Sequence, residues 1–417
     1  MNEGFITQLM NISEEDQVEK VHGNVVFFPY DTGEVSAVLK LAYENGIQIF
    51  VQQKPGNRVE QHSGKLVINL AKMDTYFEID KENLTASVHT GITLDRFQSK
   101  LLEEGLYFPP VSIWDYDAFV ATAIATNAVG INSGKYGRWR EYVVGMEAVL
   151  SSGELIELGG KIIKYVSGLD LMSLFIGSQN QLGIVSKVTV RLLPKPEAKR
   201  LLVCRFASLA DAVAATDSLT QRGLAPARNE ILSPKIADKM EFSGKSSGQF
   251  VVLTEVEGFY ESLSRQVAEI EVAYKKFAIE TATIIEHEDQ IYRIWQKYFD
   301  AADSYKSNSY YNITILPSEL PSLMGTLEKT KNDLDIDFEA IIHTSIGNIE
   351  LFVDIHDIDK LEEFKDSLMK VVLLLAGKVA SKKIGVGSHI STTEKLEEGL
   401  RVLFDPKQIL AGKGGGQ

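Results

Sequence analysis

One run of small residues, Ala123-Ile-Ala-Thr126-Asn127-Ala128-Val-Gly130-Ile-Asn-Ser-Gly134-Lys135-Tyr136-Gly137, constrains this chain more than any other segment. It holds three glycines and two asparagines and closes on a Lys-Tyr-Gly turn. Glycine tolerates positive φ and carries no Cβ, so such a run lets backbone amides come close to an anionic ligand. Downstream come Gly168-Leu-Asp170-Leu and then Phe175-Ile-Gly177-Ser178-Gln-Asn-Gln-Leu182-Gly183-Ile184-Val185. No Gly-x-Gly-x-x-Gly opens a helix near the start, which argues against a Rossmann nucleotide site.

At 417 residues the chain exceeds what one compact core holds, so two domains are expected. Its 57 acids against 43 bases give a net charge of −14, a surface that repels a nucleic-acid backbone. Cys204 is the only cysteine, which excludes an internal disulfide and any four-cysteine cluster. It lies in the apolar run Leu201-Leu-Val-Cys204-Arg-Phe206 and reads as a buried strand thiol. No charged start with an apolar stretch marks a signal peptide, and no long uncharged segment is fit to span a bilayer. A cytoplasmic location is therefore expected.

Residues 22–198 alternate short β-branched runs with helical stretches. Strands are predicted at 25–28, 47–51, 66–70 and 85–89, with a helix over 32–45 capped by Thr32 and another over 94–104 closed by Gly105. Residues 143–150 and 155–158 predict a hairpin turning at Ser152-Gly153, and 185–193 a strand halted by Pro194-Lys-Pro196. From 199 to 376 strands and helices recur in an order that suits an antiparallel sheet backed by helices on one face. The fold class is α+β, and the tail from Gly412 is expected to be disordered.

Order and spacing of these segments resemble the FAD-binding domain of the vanillyl-alcohol oxidase/p-cresol methylhydroxylase (PCMH-type) superfamily. The closest branch contains D-lactate, glycolate and D-2-hydroxyglutarate dehydrogenases. The resemblance implies a PCMH-type FAD-binding domain of two α+β subdomains over residues 1–198. An α+β cap with a ferredoxin-like antiparallel sheet would cover 199–380, and a segment over 381–417 would pack back on the FAD domain. It also implies the cofactor FAD, with the diphosphate cradled between 120 and 137 by Thr126, Asn127, Ala128, Gly130, Lys135, Tyr136 and Gly137. The family's paired glycines just before this loop correspond to Ala121 and Thr122. Gly177, Gly183 and Ile184 match a later glycine pattern, with Gln179, Asn180 and Gln181 departing from it; Gly183 and its apolar neighbours also suit strand packing. The first glycine-rich loop falls on Gln52-Gln-Lys54-Pro55-Gly56-Asn57-Arg58, where Lys54, Gly56, Asn57 and Arg58 are either cofactor contacts or an ordinary connection. His62 is the only histidine in that loop, and it reads as a surface residue rather than a covalent flavin link.

Oxidising a 2-hydroxy acid needs a cation for the carboxylate, a base for the hydroxyl proton and a group to stabilise the alkoxide. The resembling dehydrogenases use a metal held by two histidines and a glutamate, with a further histidine as base. Here the first of those motifs reads His343-Thr-Ser-Ile346-Gly347-Asn348-Ile-Glu350, and the second reads Lys383-Ile-Gly385-Val-Gly387. Glu350 replaces the second histidine, Ile346 the motif's aspartate and Lys383 the glutamate, so no metal is expected. Lys383 is either a charge in the metal's place or a solvated lysine. His343 is the candidate base. Tyr292-Arg293-Ile-Trp295-Gln-Lys297 resembles a substrate-binding segment, so Arg293 and Lys297 are candidates to hold the carboxylate; a basic edge on an amphipathic helix is the alternative. The implied activity is an FAD-dependent dehydrogenase of a small 2-hydroxy acid such as D-lactate or glycolate, with a protein or quinone as electron acceptor. The alternative is a non-catalytic or electron-relay subunit of a larger oxidoreductase complex.

Overall fold

The computed structural model describes residues 3–21, 23–52, 54–55, 65–110, 117–160, 168–240, 248–305, 309–355, 357–381 and 392–410. Two compact units share the chain. The first takes residues 3–130, 137–195 and 392–410, the second residues 131–136 and 196–381.

In the first unit, strands β1 (Val18–Val21), β2 (Asn24–Phe27), β3 (Ile49–Val51) and β4 (Leu66–Ile68) form a sheet of order β1-β2-β4-β3, with β2 and β3 parallel to β4. Val25, Phe27, Leu66 and Ile68 bury one face against Val35, Val38, Leu39 and Ala42 of the helix Thr32–Asn45. That helix is capped by Asp31, whose side chain accepts from the Glu34 amide at 2.9 Å, so Thr32 sits one residue inside the cap expected for it.

The second sheet of this unit uses β5 (Phe77–Asp80), β6 (Thr85–His89), β8 (Val143–Val149), β9 (Leu155–Gly159) and β10 (Ile184–Arg191) in the antiparallel order β5-β6-β10-β8-β9. A short pair, β7 (Leu106–Tyr107) with β11 (Leu193–Pro194), lies beside it in sequence. Its core joins Val88 and Val188 to Phe97 and Leu101 of the helix Leu94–Glu103 and to Val120, Ala123 and Ile124 of the helix Val120–Thr126. The C-terminal helix Thr392–Phe404 belongs to this unit. Phe404 meets Phe175 edge to face at 5.6 Å, and the Ile49 amide donates to the Ile409 carbonyl at 2.7 Å.

The second unit is built on one fully antiparallel sheet of β12 (Ala198–Phe206), β13 (Arg228–Leu232), β14 (Phe250–Gly258), β15 (Thr283–Ile285), β16 (Ser309–Thr314), β17 (Phe338–His343), β18 (Asn348–Val353) and β19 (Lys378–Ser381). Their order is β15-β12-β14-β13-β17-β18-β16-β19. Successive strand residues point to opposite faces. One parity (Leu202, Cys204, Ile231, Val252, Ile342, Leu351) is apolar and packs on the helices Leu209–Gln221, Tyr260–Tyr274, Leu320–Leu334 and Ile358–Leu374. Cys204 is buried there, and burial pushes its thiol up to about 11. The other parity carries Arg228, Glu230, Glu255, Glu257, His343 and Glu350, all buried. This face is also covered, by the helices Pro234–Lys239 and Glu288–Asp303, so the expectation of helices on one face is corrected. A polar strand face needs a cover that answers its hydrogen bonds, and Trp295 and Tyr298 supply it.

Candidate functional site

In the first unit the helix Val120–Thr126 ends at Asn127, which adopts the left-handed conformation at φ 47 and ψ 54. Asparagine is the non-glycine residue best suited to that turn. The loop after Phe175 folds onto this helix end: the Gly177 amide donates to the Ile124 carbonyl at 2.9 Å and the Gln179 amide to the Ala125 carbonyl at 2.8 Å. Gly177 has φ +91, and a Cβ on it would lie 3.4 Å from the Asn127 Cβ. Two segments far apart in sequence thus converge at one turn. Asn127 Oδ1 is buried there with no hydrogen-bond partner.

The expected amide cradle is narrower than the sequence implied. Amides of Val120, Ala121, Thr122 and Ala123 already donate to the carbonyls of Ile92, Thr90 and Phe119, and the Ala128 amide donates to the Ala123 carbonyl. Ala121 and Thr122 sit inside a helix rather than a loop. Thr126 is exposed, with its hydroxyl turned back to the Thr122 carbonyl. Gly130 is buried, and Gly137 turns at φ +85. Gly183 lets the chain pass β8, since a Cβ would stand 2.8 Å from the Val149 carbonyl, and Ile184 is core in β10.

Residues 131–136 belong to the second unit, where Lys135 and Tyr136, expected as diphosphate contacts, meet a carboxylate. The Tyr136 hydroxyl donates to Glu257 Oε1 at 2.7 Å, and Lys135 Nζ donates to the Glu257 carbonyl at 3.0 Å. Burial lowers the Lys135 ammonium below its ordinary range. Gly134 is needed because a Cβ would lie 2.3 Å from the Ser345 Cβ.

On the polar face of the second sheet, pairing places Glu230 opposite His343, Arg228 opposite Glu255, and Glu350 opposite Asn312. His343 Nδ1 lies 2.5 Å from Glu230 Oε2, and its Nε2 lies 3.7 Å from Glu350 Oε1. The Tyr298 hydroxyl donates to the same Glu230 Oε2 at 2.9 Å. Burial works against a charged imidazole, but the Glu230 and Glu350 carboxylates outweigh it and raise His343 to about 10. The two carboxylates favour the protonated ring, whereas the proton-accepting role expected of His343 uses the neutral one. Burial, then the Glu350 charge, lifts the Tyr310 phenol to about 12. Glu350 Oε2 is buried without a hydrogen-bond partner.

Beside this cluster, Arg228 Nε donates to Asn132 Oδ1 at 2.7 Å and lies 3.8 Å from Glu255 Oε1. Its guanidinium stands 4.8 Å from the Trp295 ring centroid, and Trp295 Nε1 donates to Glu255 Oε2 at 2.6 Å. Three contacts on the guanidinium, with Trp295 tied to Glu255, fix the cation in one orientation.

Arg293 and Lys297 are not brought to this cluster. They are exposed, on a different side of the helix Glu288–Asp303 from Trp295 and Tyr298, and line a cavity of about 360 Å³ with Val203, Arg205 and Glu280. Val203 is three strands from His343 along one row (Val203, Leu253, Glu230, His343), roughly 14 Å at the usual strand spacing. Lys54 pairs with Asp117 at 3.0 Å, both exposed. Gly56, Asn57, Arg58, His62 and Lys383 lie outside the described residues. Sequence reasoning missed Arg228, Glu230, Glu255, Tyr298 and Asn132. The available signal was charge at alternate positions (228 and 230; 255 and 257) within otherwise apolar strands, which marks a polar face of a buried sheet.

Residues 24–159 match the FAD binding domain family, and residues 195–413 match the family of FAD linked oxidases, C-terminal domain. The chain is 29% identical to glycolate oxidase subunit GlcD of Bacillus subtilis, covering 93% of this chain and 87% of that one. It is also 29% identical to a D-lactate dehydrogenase of Archaeoglobus fulgidus, covering 93% and 90%. Among solved structures, p-cresol methylhydroxylase with substrate bound aligns at TM-score 0.72 and 16% identity over 98% of this chain and 96% of that one. An alkyldihydroxyacetonephosphate synthase aligns at 0.74 and 16%, over 98% and 84%. These two likenesses concern the fold.

FAD is the cofactor these families imply, and the Asn127 turn fits it. An unpartnered buried amide costs about 1–3 kcal/mol unless a ligand answers it. An asparagine amide turns to present either its oxygen or its NH2 group. Asn127→Ala is expected to weaken flavin binding by roughly tenfold, about 1.4 kcal/mol. Fluorescence titration of the apoprotein with FAD checks this, and unchanged affinity would remove Asn127 from the cofactor site.

Proposed function

The chain belongs to the FAD-linked oxidases, and on that premise we propose that it oxidises a small 2-hydroxy acid such as D-lactate or glycolate and passes the electrons to a protein or quinone acceptor. Support comes first from one observation: a buried guanidinium, Arg228, on the same sheet face as the His343–Glu350 pair, within the unit that matches the oxidase C-terminal family. The names of the full-length relatives point to the same substrate class.

Arg228 presents a planar fork suited to a carboxylate, pre-oriented by Asn132, Glu255 and Trp295. Arg228 rather than Arg293 or Lys297 holds the substrate carboxylate in this proposal. Burial of the cluster keeps water away and strengthens each charge interaction. Bound FAD would supply the hydride acceptor for this oxidation. Holding the carboxylate and managing the hydroxyl proton are left to the chain's own residues.

Anaerobic mixing of the yellow holoprotein with D-lactate, L-lactate, glycolate or D-2-hydroxyglutarate tests the proposal. Loss of the flavin band near about 450 nm with one of them is expected. A stable yellow colour with all four would favour the non-catalytic or relay-subunit reading instead. Arg228→Lys keeps the charge and loses the fork, so KM for the substrate is expected to rise about tenfold or more. Steady-state kinetics at saturating acceptor reads that change, and an unaltered KM would take Arg228 out of the carboxylate role.

A further inference from the structure

We infer that the second unit carries a separate binding site for a small uncharged alcohol or polyol, in a cavity of about 210 Å³ on the helix-packed face of its sheet. Strand alternation places it there. Arg228 and Glu230 of β13 turn to the polar face, so Asn229 between them turns to the face that Ile231 packs on the helices. The cavity opens between the helix Leu209–Gln221, the start of β13 and the turn after β17, and every residue lining it belongs to the second unit. Val213, Leu219 and Leu224 give it an apolar wall, and Thr216, Asn229 and Thr344 a polar one. One water needs about 10–15 Å³ of such space and a drug-sized ligand roughly 300 Å³ or more, so the occupant has only a few heavy atoms.

The Asn229 amide points to a ligand. Asn229 is 3% exposed, and its Oδ1 faces the Thr254 hydroxyl at 2.8 Å and the Tyr274 hydroxyl at 3.2 Å. Those two hydroxyls lie 2.6 Å apart and share one of their protons. The other proton goes to Oδ1, which fixes the amide with its NH2 group away from them. That NH2 group meets no acceptor among the described residues, and Asn229 lines the cavity. Buried polar groups are answered by protein, water or ligand, and here the protein answers only half of the amide.

The polar wall selects the class of ligand. The Thr216 hydroxyl donates to the Val213 carbonyl at 3.0 Å and the Thr344 hydroxyl to the Asn229 carbonyl at 2.9 Å, so each has its lone pairs left to offer. One donor, the Asn229 NH2 group, thus stands with two acceptors. An alcohol oxygen answers both kinds at once; a carbonyl or ether oxygen answers only the amide, and an ammonium only the threonines. The half-buried Asp217 also lines the cavity, accepting from Gln221 Nε2 at 2.7 Å, and no lysine or arginine is among the described residues that line it, so a carboxylate or phosphate is repelled. The site is therefore not a second copy of the one around Arg228. It lies behind that one: the Thr344 amide and hydroxyl both donate to the Asn229 carbonyl, so an occupant touches the backbone that carries Arg228, Glu230 and His343 on its other face.

Methyl spectra of the holoprotein, carbon-13 labelled at leucine and valine methyls and titrated with propane-1,2-diol, test the inference. Saturable shifts are expected at Val213, Leu219 and Leu224, assigned by single substitutions. Thr216→Val removes one acceptor at nearly constant shape and should weaken the diol about fivefold. Ala225→Trp blocks the cavity from an exposed lining position and should abolish the three shifts at unchanged flavin content. Propylamine and propionate at the same concentrations should leave these methyls in place. Absence of a saturable shift there overturns the inference, as does an amine or acid that moves them more than the diol. Diol shifts unaltered in both variants overturn it too. None of these readouts uses turnover, so the result stands apart from the hydroxy-acid reading.

Discussion

Replacing Glu230 with alanine is expected to destabilise the second unit by about 3–5 kcal/mol, because it strands a buried cation. His343 is 3% exposed and Glu230 1%. Without the Glu230 carboxylate, the ring loses the charge 2.5 Å from its Nδ1 and the Tyr298 hydroxyl loses its acceptor Oε2. Glu230→Gln keeps an acceptor for the Tyr298 hydroxyl and should lose less. Replacing Glu230 and His343 together with leucines should recover much of the loss, since removing both charges also removes their desolvation. Urea unfolding of the four proteins reads these differences, and a Glu230→Ala protein within 1 kcal/mol of the parent would show that the pair does not hold the unit.

The same pair carries a pH signature. His343 is raised from its ordinary 6.5 to about 10, so its contribution is complete below the unfolded value and fades as pH rises through the folded one. The parent should therefore lose stability between about pH 7 and 10, on the order of 4 kcal/mol at the upper limit. Glu230→Ala should show a flatter profile over that window. Parallel curves would mean the imidazolium is not formed.

Gly91→Ala is the second large effect, at least about 3 kcal/mol, with loss of bound flavin. A Cβ on Gly91 would fall 1.8 Å from the Leu70 carbonyl oxygen and 2.8 Å from the Met73 carbonyl oxygen, both backbone atoms that no rotamer change can move. The residues around Gly91 also anchor the helix Val120–Thr126, since the Ala121 amide donates to the Thr90 carbonyl and the Val120 amide to the Ile92 carbonyl. Relief of the clash must shift Thr90 or Ile92, and the Asn127 turn moves with them. Thermal melts with and without added FAD measure both parts. A Gly91→Ala protein that melts with the parent and stays yellow would show that this crossing has room for a methyl group.

Several elements were legible in the residues because their causes are local. The hairpin at Ser152-Gly153, the strand Thr85–His89 and the helix Leu94–Glu103 each follow from alternation, a turn glycine or a stop a few residues away. Helix Thr32–Asn45 was legible too, although two adjacent capping residues left its start ambiguous by one position, and packing buried Thr32 while Asp31 took the amide. The site was legible only where a residue is unusual by itself. His343 and Asn127 could be singled out; Glu230 could not, because its importance comes from the pairing of β13 with β17 and from a helix far along the chain. Lys135 and Tyr136 stood out in the sequence, but the carboxylate they meet lies on β14 and could not be read from it. Arg293 and Lys297 share one side of a helix, as their spacing requires, but spacing cannot say which side turns inward.

What the amino-acid order determined alone was the class of fold, the two-part organisation and the turn where asparagine and glycine must adopt left-handed backbone. These depend on φ preferences and periodicity, which act over a few residues. Tertiary structure decided the carboxylates that surround His343, the orientation of Arg228 and the destination of residues 131–136. Each of those depends on a charge or an acceptor brought within hydrogen-bond range by strand pairing, in an interior where burial magnifies what one misplaced carboxylate would change.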